Sequence, residues 1–284
     1  MTLSSTVSAL MTQAAAPYRA AGNYAWRFAA GKLGGDPVFV QLLARGFLAG
    51  RARILDIGCG QGLLTSWLLS AQQLAAQGRW PSDWAAAPNP QHIQGIELMQ
   101  HDVQRALAAL PDAVQAGRVG FVAGDMCATA FAPVDAVVIL DVLHYVPIAA
   151  QDEVLRRVKA ALNPGGVLLL RIGDAGAGWP FRFSNWVDFV VTTLRGHRLG
   201  ALHCRPLAAW VDRLQALGFT VTPEPMSQGT LFANVLLVAQ CNDSPPGCAD
   251  ATPTPLQGAI PVVRQSRSHG ISEGPTFCRL NACA

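Results

Sequence analysis

The sequence predicts an α/β protein: a mostly parallel, seven-stranded sheet with helices on both faces and an antiparallel last strand. Three observations predict it. Short apolar segments alternate with longer ones whose apolar residues recur every three or four positions, the pattern of buried parallel strands joined by amphipathic helices. A glycine-rich turn, Gly58-Cys59-Gly60-Gln61-Gly62, stands between the first such strand and the helix after it. The final two strand-like segments leave no room for a helix between them, so they pair antiparallel.

The elements follow in order. Met1 to Ala16 is uncharged and lacks the basic segment that a secretory signal places before its apolar run. From Pro17 to Gly50, Tyr24, Trp26 and Phe28, then Val38, Phe39, Leu42 and Leu43, recur at helical spacing, broken by Gly34-Gly35-Asp36-Pro37. Residues 1–50 are thus expected to form an N-terminal helical cap. Ala52 to Ile57 reads as the first strand. After the glycine turn, Leu63, Leu64, Trp67, Leu68, Ala71 and Leu74 line one helix face. Residues 77–91, rich in Trp, Pro and Ala, read as a loop insertion.

Strands are then expected at Ile93–Glu97, Val119–Ala123, Val134–Leu140 and Val167–Ile172, with helices at about Met99–Leu110 and Gln151–Leu162. The second helix ends at Asn163-Pro164-Gly165-Gly166. Residues 174–205 leave the pattern and carry Trp179, Phe181, Phe183, Trp186 and Phe189, a lid-like insertion whose helical spacing also suits plain packing. A helix at about Pro206–Leu217 and strands at Thr220–Thr222 and Val235–Ala239 complete the domain, 51–240. From Cys241 onward Pro, Ser, Thr and Gly dominate without periodicity, so 241–284 is expected to be a disordered tail.

Composition excludes several classes. The net charge is +3, with no Lys/Arg run, which argues against nucleic-acid binding. No uninterrupted apolar stretch is long enough to span a membrane. Seven cysteines include no CxxC pair and no zinc-like spacing, so no metal site is expected. They read as free thiols in a reducing cytosol.

The glycine turn carries the chemistry. Glycines permit a tight turn and let a ligand approach the backbone with no Cβ in the way. The following helix offers free N–H groups and a positive dipole end. A dinucleotide fingerprint requires G-x-G-x-x-G, and here the third glycine comes one residue early. Asp56, two residues before the first glycine, suits a cationic ligand better than a pyrophosphate.

The run Ile54-Leu55-Asp56-Ile57-Gly58-Cys59-Gly60-Gln61-Gly62 resembles the first motif of class I, Rossmann-like methyltransferases that use S-adenosylmethionine. The resemblance continues through Gly95-Ile96-Glu97, Gly124-Asp125, Asp141-Val142-Leu143-His144-Tyr145 and Leu162-Asn163-Pro164-Gly165-Gly166, and covers roughly residues 17–240. The last two motifs are similar to those of small-molecule enzymes such as the quinone-biosynthesis methyltransferases. The Asn/Asp-Pro-Pro-aromatic tetrapeptide of enzymes that methylate amino groups of bases is missing.

The resemblance implies a cofactor site of Asp56, Gly58, Gly60, Gly62, Glu97, Asp125, Met126 and Asp141, holding S-adenosylmethionine. Glu97 would accept hydrogen bonds from the ribose hydroxyls. Its distance from the glycine loop is about twice the usual ~20 residues, which the Trp80–Pro90 insertion accounts for. Asp125 would accept from the adenine amino group, with Met126 against the ring; a turn cap is the plainer alternative. Asp141 stands beside the point where strand order reverses. His144 is the candidate general base, since an imidazole titrates near neutrality; lining the site is the alternative. His203 is a second candidate, while His92, His101, His197 and His269 belong to no evident constellation. The implied reaction is methyl transfer to an oxygen or carbon of a small acceptor. A nicotinamide-dependent oxidoreductase and a cofactor-binding protein without catalysis remain as alternatives.

Overall fold

The computed structural model describes residues 3–173, 202–226 and 234–241. The chain opens with α1 (Leu3–Ala15), α2 (Asn23–Gly35) and α3 (Pro37–Ala44). The helix α1 begins earlier than periodicity alone suggests. Its sequence is rich in Ser, Thr and Ala, so its helicity rests on packing: Leu10 and Ala14 are fully buried, and Ser66 donates to the Ala14 carbonyl at 2.7 Å. The break between α2 and α3 is a built cap. The Asp36 carboxylate accepts from the Val38 N–H at 3.1 Å, and Pro37 occupies the first turn, where its missing N–H costs nothing.

The core then runs β1 (Arg53–Ile57), α4 (Leu63–Ala76), β2 (His92–Glu97), α5 (Gln100–Ala109), α6 (Pro111–Gln115), β3 (Val119–Ala123), β4 (Val134–Leu140), α7 (Ile148–Ala161), β5 (Leu162–Gly173), α8 (Leu207–Ala216), β6 (Phe219–Pro225) and β7 (Asn234–Cys241). The strands form one seven-stranded sheet in the order β3-β2-β1-β4-β5-β7-β6. The first five are parallel, as in Ile57↔Ile96 and Ile139↔Leu170. The last strand slots antiparallel between β5 and β6, with Leu169↔Val238 and Thr222↔Val238 as partners.

Side chains alternate across the sheet with period two. Ile54, Ala136, Val138 and Leu169 face α1 through α5, whereas Leu55, Ile57, Val137, Ile139 and Leu168 face α7 and α8. Trp67 of α4 is fully buried on the first face, where its Nε1 donates to the Phe39 carbonyl at 2.7 Å and fastens the cap to the sheet. Residues 77–91 form the expected loop. It too is pinned to the cap, because the Ala85 N–H donates to the Ala44 carbonyl at 3.0 Å, while Trp80 and Trp84 meet edge to face.

One boundary differs. Asn163 to Gly166 reads as a helix stop in sequence, yet it lies within β5 as a bulge, where the register jumps from Val134↔Leu162 to Ala136↔Val167. The Asn163 amide donates to Asp135 Oδ1 at 2.7 Å, which supports the bulge from the neighbouring strand. Most of the proposed lid, 174–205, and the tail after Cys241 lie outside the described residues. No described helix is long and apolar enough to cross a membrane. Cys59, Cys127 and Cys241 are free thiols.

Candidate active site

The site forms where β1 lies between β2 and β4, because the helices after these strands leave on opposite faces and open a crevice. All three glycines of the loop have left-handed backbone, with φ of 74° at Gly58, 53° at Gly60 and 78° at Gly62. They need glycine for different reasons. A Cβ on Gly58 would lie 2.6 Å from Val142, and one on Gly62 would lie 2.8 Å from Phe121. Those two positions are closed by the protein itself. A Cβ on Gly60 would meet nothing within 4 Å, so this glycine borders open space.

Glu97 holds that loop. Its Oε2 accepts from the Gly60 N–H and its Oε1 from the Met99 N–H, both at 2.9 Å. The carboxylate thus stands at the end of β2 with both oxygens oriented by backbone, and each keeps lone-pair capacity for a further donor. Asp56 lies beneath the loop at 3% exposure. Burial, reinforced by the Glu97 charge, pushes its carboxyl up to about 7. Tyr18 of the cap is also buried, with Asp56 and Ser66 near its phenol. Burial first, then the nearby Cys59 and Asp56, raises its pKa well above the ordinary value.

A cleft of about 220 Å³ opens beside Gly60 and Gln61, with Tyr24 and Phe28 of α2 on one side and His101, Asp102 and Arg105 of α5 on the other. His101 therefore borders the site, although its surroundings in sequence give no sign of this.

Asp125 is exposed, and its Oδ1 accepts from the Cys127 N–H at 2.8 Å, so it caps the turn after β3. The capping alternative is realised there, and one carboxylate oxygen stays outside that bond. Met126 is half-buried against the α7 face, and its carbonyl accepts from Arg157 at 3.0 Å.

Asp141, the one non-glycine residue with positive φ (59°) among those described, ends β4. It is held by Arg171 of β5, whose Nε donates to Asp141 Oδ1 at 2.8 Å and whose Nη2 pairs with Oδ2. The same guanidinium reaches across to Asp36, with Nη1 to Oδ1 at 2.5 Å. Arg171 is therefore a buried clasp between the cap and the switch point. Its charges keep the Asp36 carboxyl well below the usual range despite burial.

His144 lies in the 3₁₀ turn Leu143–Tyr145, and its Nε2 is buried with no hydrogen-bond partner among the described residues. Burial lowers its pKa from the ordinary value, with Asp141 opposing. His203 comes beside it: the His203 N–H donates to the His144 carbonyl at 2.9 Å. Gln151, fully buried, secures this pair by donating to the Val146 and His203 carbonyls at 3.0 and 2.7 Å. The Gln151 side-chain carbonyl accepts in turn from Arg205 at 3.0 Å.

This geometry can now be set beside known proteins. A family model described as "Methyltransferase domain" matches residues 26–224, well over half of the chain. The chain belongs to that family.

A carboxy-S-adenosyl-L-methionine synthase from Chromohalobacter salexigens is 31% identical over 129 residues, 45% of this chain and 43% of that protein. An O-methyltransferase family protein from Burkholderia thailandensis has a similar fold, with a TM-score of 0.55 at 19% identity over 80% of this chain and 63% of that one. So has magnesium protoporphyrin IX methyltransferase from Synechocystis PCC 6803 with bound SAH, with a TM-score of 0.50 at 17% identity over 72% of this chain and 80% of that one. The chain spans less than half the length of the curated relative and under two thirds of the Burkholderia protein. The family expected from the glycine loop is the family matched, and the fold agrees.

Within this methyltransferase domain, the structure gathers Asp56, the three glycines and Glu97 at one loop. Asp141 and His144 stand on the adjacent β4 turn, and Asp125 with Met126 on the turn after β3. Sequence reasoning passed over Arg171, Asp36 and Tyr18. A lone arginine inside an apolar strand, Leu168-Leu169-Leu170-Arg171-Ile172, was the available signal, since a buried charge demands a partner.

Proposed function

We propose that this chain transfers a methyl group from S-adenosylmethionine to an oxygen or carbon of a small-molecule acceptor. The observation that carries this is the open space at Gly60, whose N–H is held by the Glu97 carboxylate, with Asp56 buried in the strand that leads into the loop. Those groups suit the cofactor chemically. Two carboxylates and a glycine edge fit a ligand with ribose hydroxyls, a sulfonium and an ammonium, and fit a pyrophosphate poorly.

The bound cofactor supplies an electrophilic methyl group and its own leaving group. The protein's part is then alignment and water exclusion. In this reading Glu97 accepts from the ribose hydroxyls, and Asp56 and Asp141 meet the positive charge. Asp125 reaches the adenine amino group with Met126 against the ring. His144 Nε2, neutral and without a partner among the described residues, takes the proton that an acceptor hydroxyl releases. The fold neighbour from Burkholderia thailandensis is an O-methyltransferase family protein, which supports oxygen as the acceptor atom.

Calorimetry tests the reading. S-adenosylhomocysteine is expected to bind and NAD is not; tight NAD binding with no response to S-adenosylhomocysteine overturns it. Mass spectrometry of any ligand that copurifies, followed by turnover with candidate phenols and acids, separates an enzyme from a binding protein.

A further inference from the structure

We propose that Lys32 of the cap helix is the anchor for the carboxylate of the cofactor's amino-acid end, with Asp141 beside it taking the ammonium. This rests on the function proposed above. The argument starts from four charges, Lys32, Asp36, Asp141 and Arg171, which form a neutral quartet. Arg171 has a side chain 1% exposed and spends its fork on the two aspartates, so it cannot turn outward.

Lys32 is placed differently. Its side chain is 39% exposed, its Nζ lies 2.8 Å from Asp36 Oδ2, and it stands 3.9 Å from Asp141 Oδ2. One short contact leaves an ammonium with donors to spare. The 3.9 Å separation is too long for a hydrogen bond. Lys32 and Asp141 are therefore neighbouring opposite charges on two separate elements, α2 and the end of β4.

That pair matches a zwitterion. An ammonium on Asp141 and a carboxylate on Lys32 would add no net charge to a neutral quartet. A lone anion or cation would unbalance it. The place is right as well: Val142, next to Asp141, fills the space where a Gly58 Cβ would stand, so this turn abuts the glycine loop. Arg171 Nη2 donates to Oδ2 of both aspartates, so the pair with Asp36 also brings Lys32 near Asp141; what that pair leaves over is the exposed ammonium's spare donors.

The test uses the full chain and two ligands. S-adenosylhomocysteine carries the amino-acid end, and 5′-methylthioadenosine has the same adenosine and thioether without it. Lys32→Met is expected to weaken S-adenosylhomocysteine by about tenfold or more, as for loss of a charge-assisted hydrogen bond. It should leave 5′-methylthioadenosine within about twofold, and Lys32→Arg should restore most of the loss. Equal weakening of both ligands, or no weakening of either, overturns the assignment. So does unchanged S-adenosylhomocysteine binding with a raised KM for the acceptor, which would hand Lys32 to the other substrate. If the parent protein binds neither ligand, the proposed function itself fails along with this inference.

Discussion

The Gly60 N–H donates to Glu97 Oε2 at 2.9 Å, so the tip of the glycine loop is tied to the end of the neighbouring strand. This bond makes the loop and the acidic residue one unit, although 37 positions separate them. A ligand bound at either must be felt at the other.

Gly60→Val is expected to abolish binding of S-adenosylhomocysteine while the fold survives with some loss of stability. A Cβ added there meets nothing within 4 Å, and the cost to the fold is the φ of +53° that a β-branched residue resists. Gly58→Ala should behave in the opposite way, lowering the melting temperature because its Cβ would clash with Val142 at 2.6 Å. Thermal melts and calorimetry on both variants check this, and a Gly60→Val protein that binds normally refutes the loop assignment.

Glu97→Ala is expected to weaken S-adenosylhomocysteine by about 1.5–3 kcal/mol, the range for hydrogen bonds to a charged group. A ligand lacking both ribose hydroxyls should lose less. It should still lose something, since Glu97 also orients the Gly60 and Met99 N–H groups. The difference between the two ligands measures ribose recognition, and identical losses would reduce Glu97 to a loop support.

Asp56 sets a pH dependence. Its carboxyl is raised from 3.8 to about 7 in the folded chain, so between these values the folded state holds a proton that the unfolded state has released. Stability of the ligand-free protein therefore falls as pH rises from about 4 to about 7. Asp56→Asn should stabilise the ligand-free protein at pH 8 by on the order of a few kcal/mol, read as a higher melting temperature, and change little near pH 4. A cationic ligand favours the ionised carboxylate, so binding of S-adenosylmethionine near pH 6 should release a proton. Titrations in buffers of different ionisation enthalpy measure that release, and Asp56→Asn should remove it.

His144→Ala is expected to lower kcat by about 10²–10⁴, the span of general-base contributions, with S-adenosylhomocysteine affinity nearly unchanged. Burial lowers the pKa of this imidazole from its ordinary 6.5, so it stays neutral and basic at pH 7. Activity should hold its plateau to below pH 6.5 and fall as the ring protonates. An acid limb at the same pH in His144→Ala would assign the titration to another group.

Residues 242–284 are expected to be dispensable for stability and for cofactor binding. Cys241, the last described residue, pairs with Phe219, the first residue of β6. Beyond it Leu256, Ile260, Val262, Val263, Ile271, Phe277 and Leu280 are spaced without period. Anchors so sparse are expected to fall short of the about 1–2 kcal/mol of backbone entropy that ordering costs per residue. Truncation after Cys241 followed by a thermal melt is the check, and a large drop in melting temperature would show that the tail packs on the domain.

Much of this protein is written locally. The strand-length apolar runs, the helix stripes and the three loop glycines each depend on near neighbours in the chain, so period and backbone freedom were enough to place β1 to β5, α4 and the turn between them. Asp56, Glu97 and Asp141 could be placed in or beside recognisable strands for the same reason, whereas the cofactor roles proposed for them rest on the family resemblance. Where local signals are weak or double, the sequence fell short. The helix α1 has little intrinsic preference and forms because α4 offers it a surface, and Asn163 to Gly166 can stop a helix or bulge a strand until Asp135 decides. Which charges meet was beyond any local pattern: Asp36, Asp141 and Arg171 come from three distant segments, and only the sheet order β1-β4-β5 under the N-terminal cap brings them within hydrogen-bond reach. A buried charge demands a partner, a demand the sequence shows in Arg171; the partner itself is chosen by tertiary packing, because Coulomb interactions act through space and not along the chain.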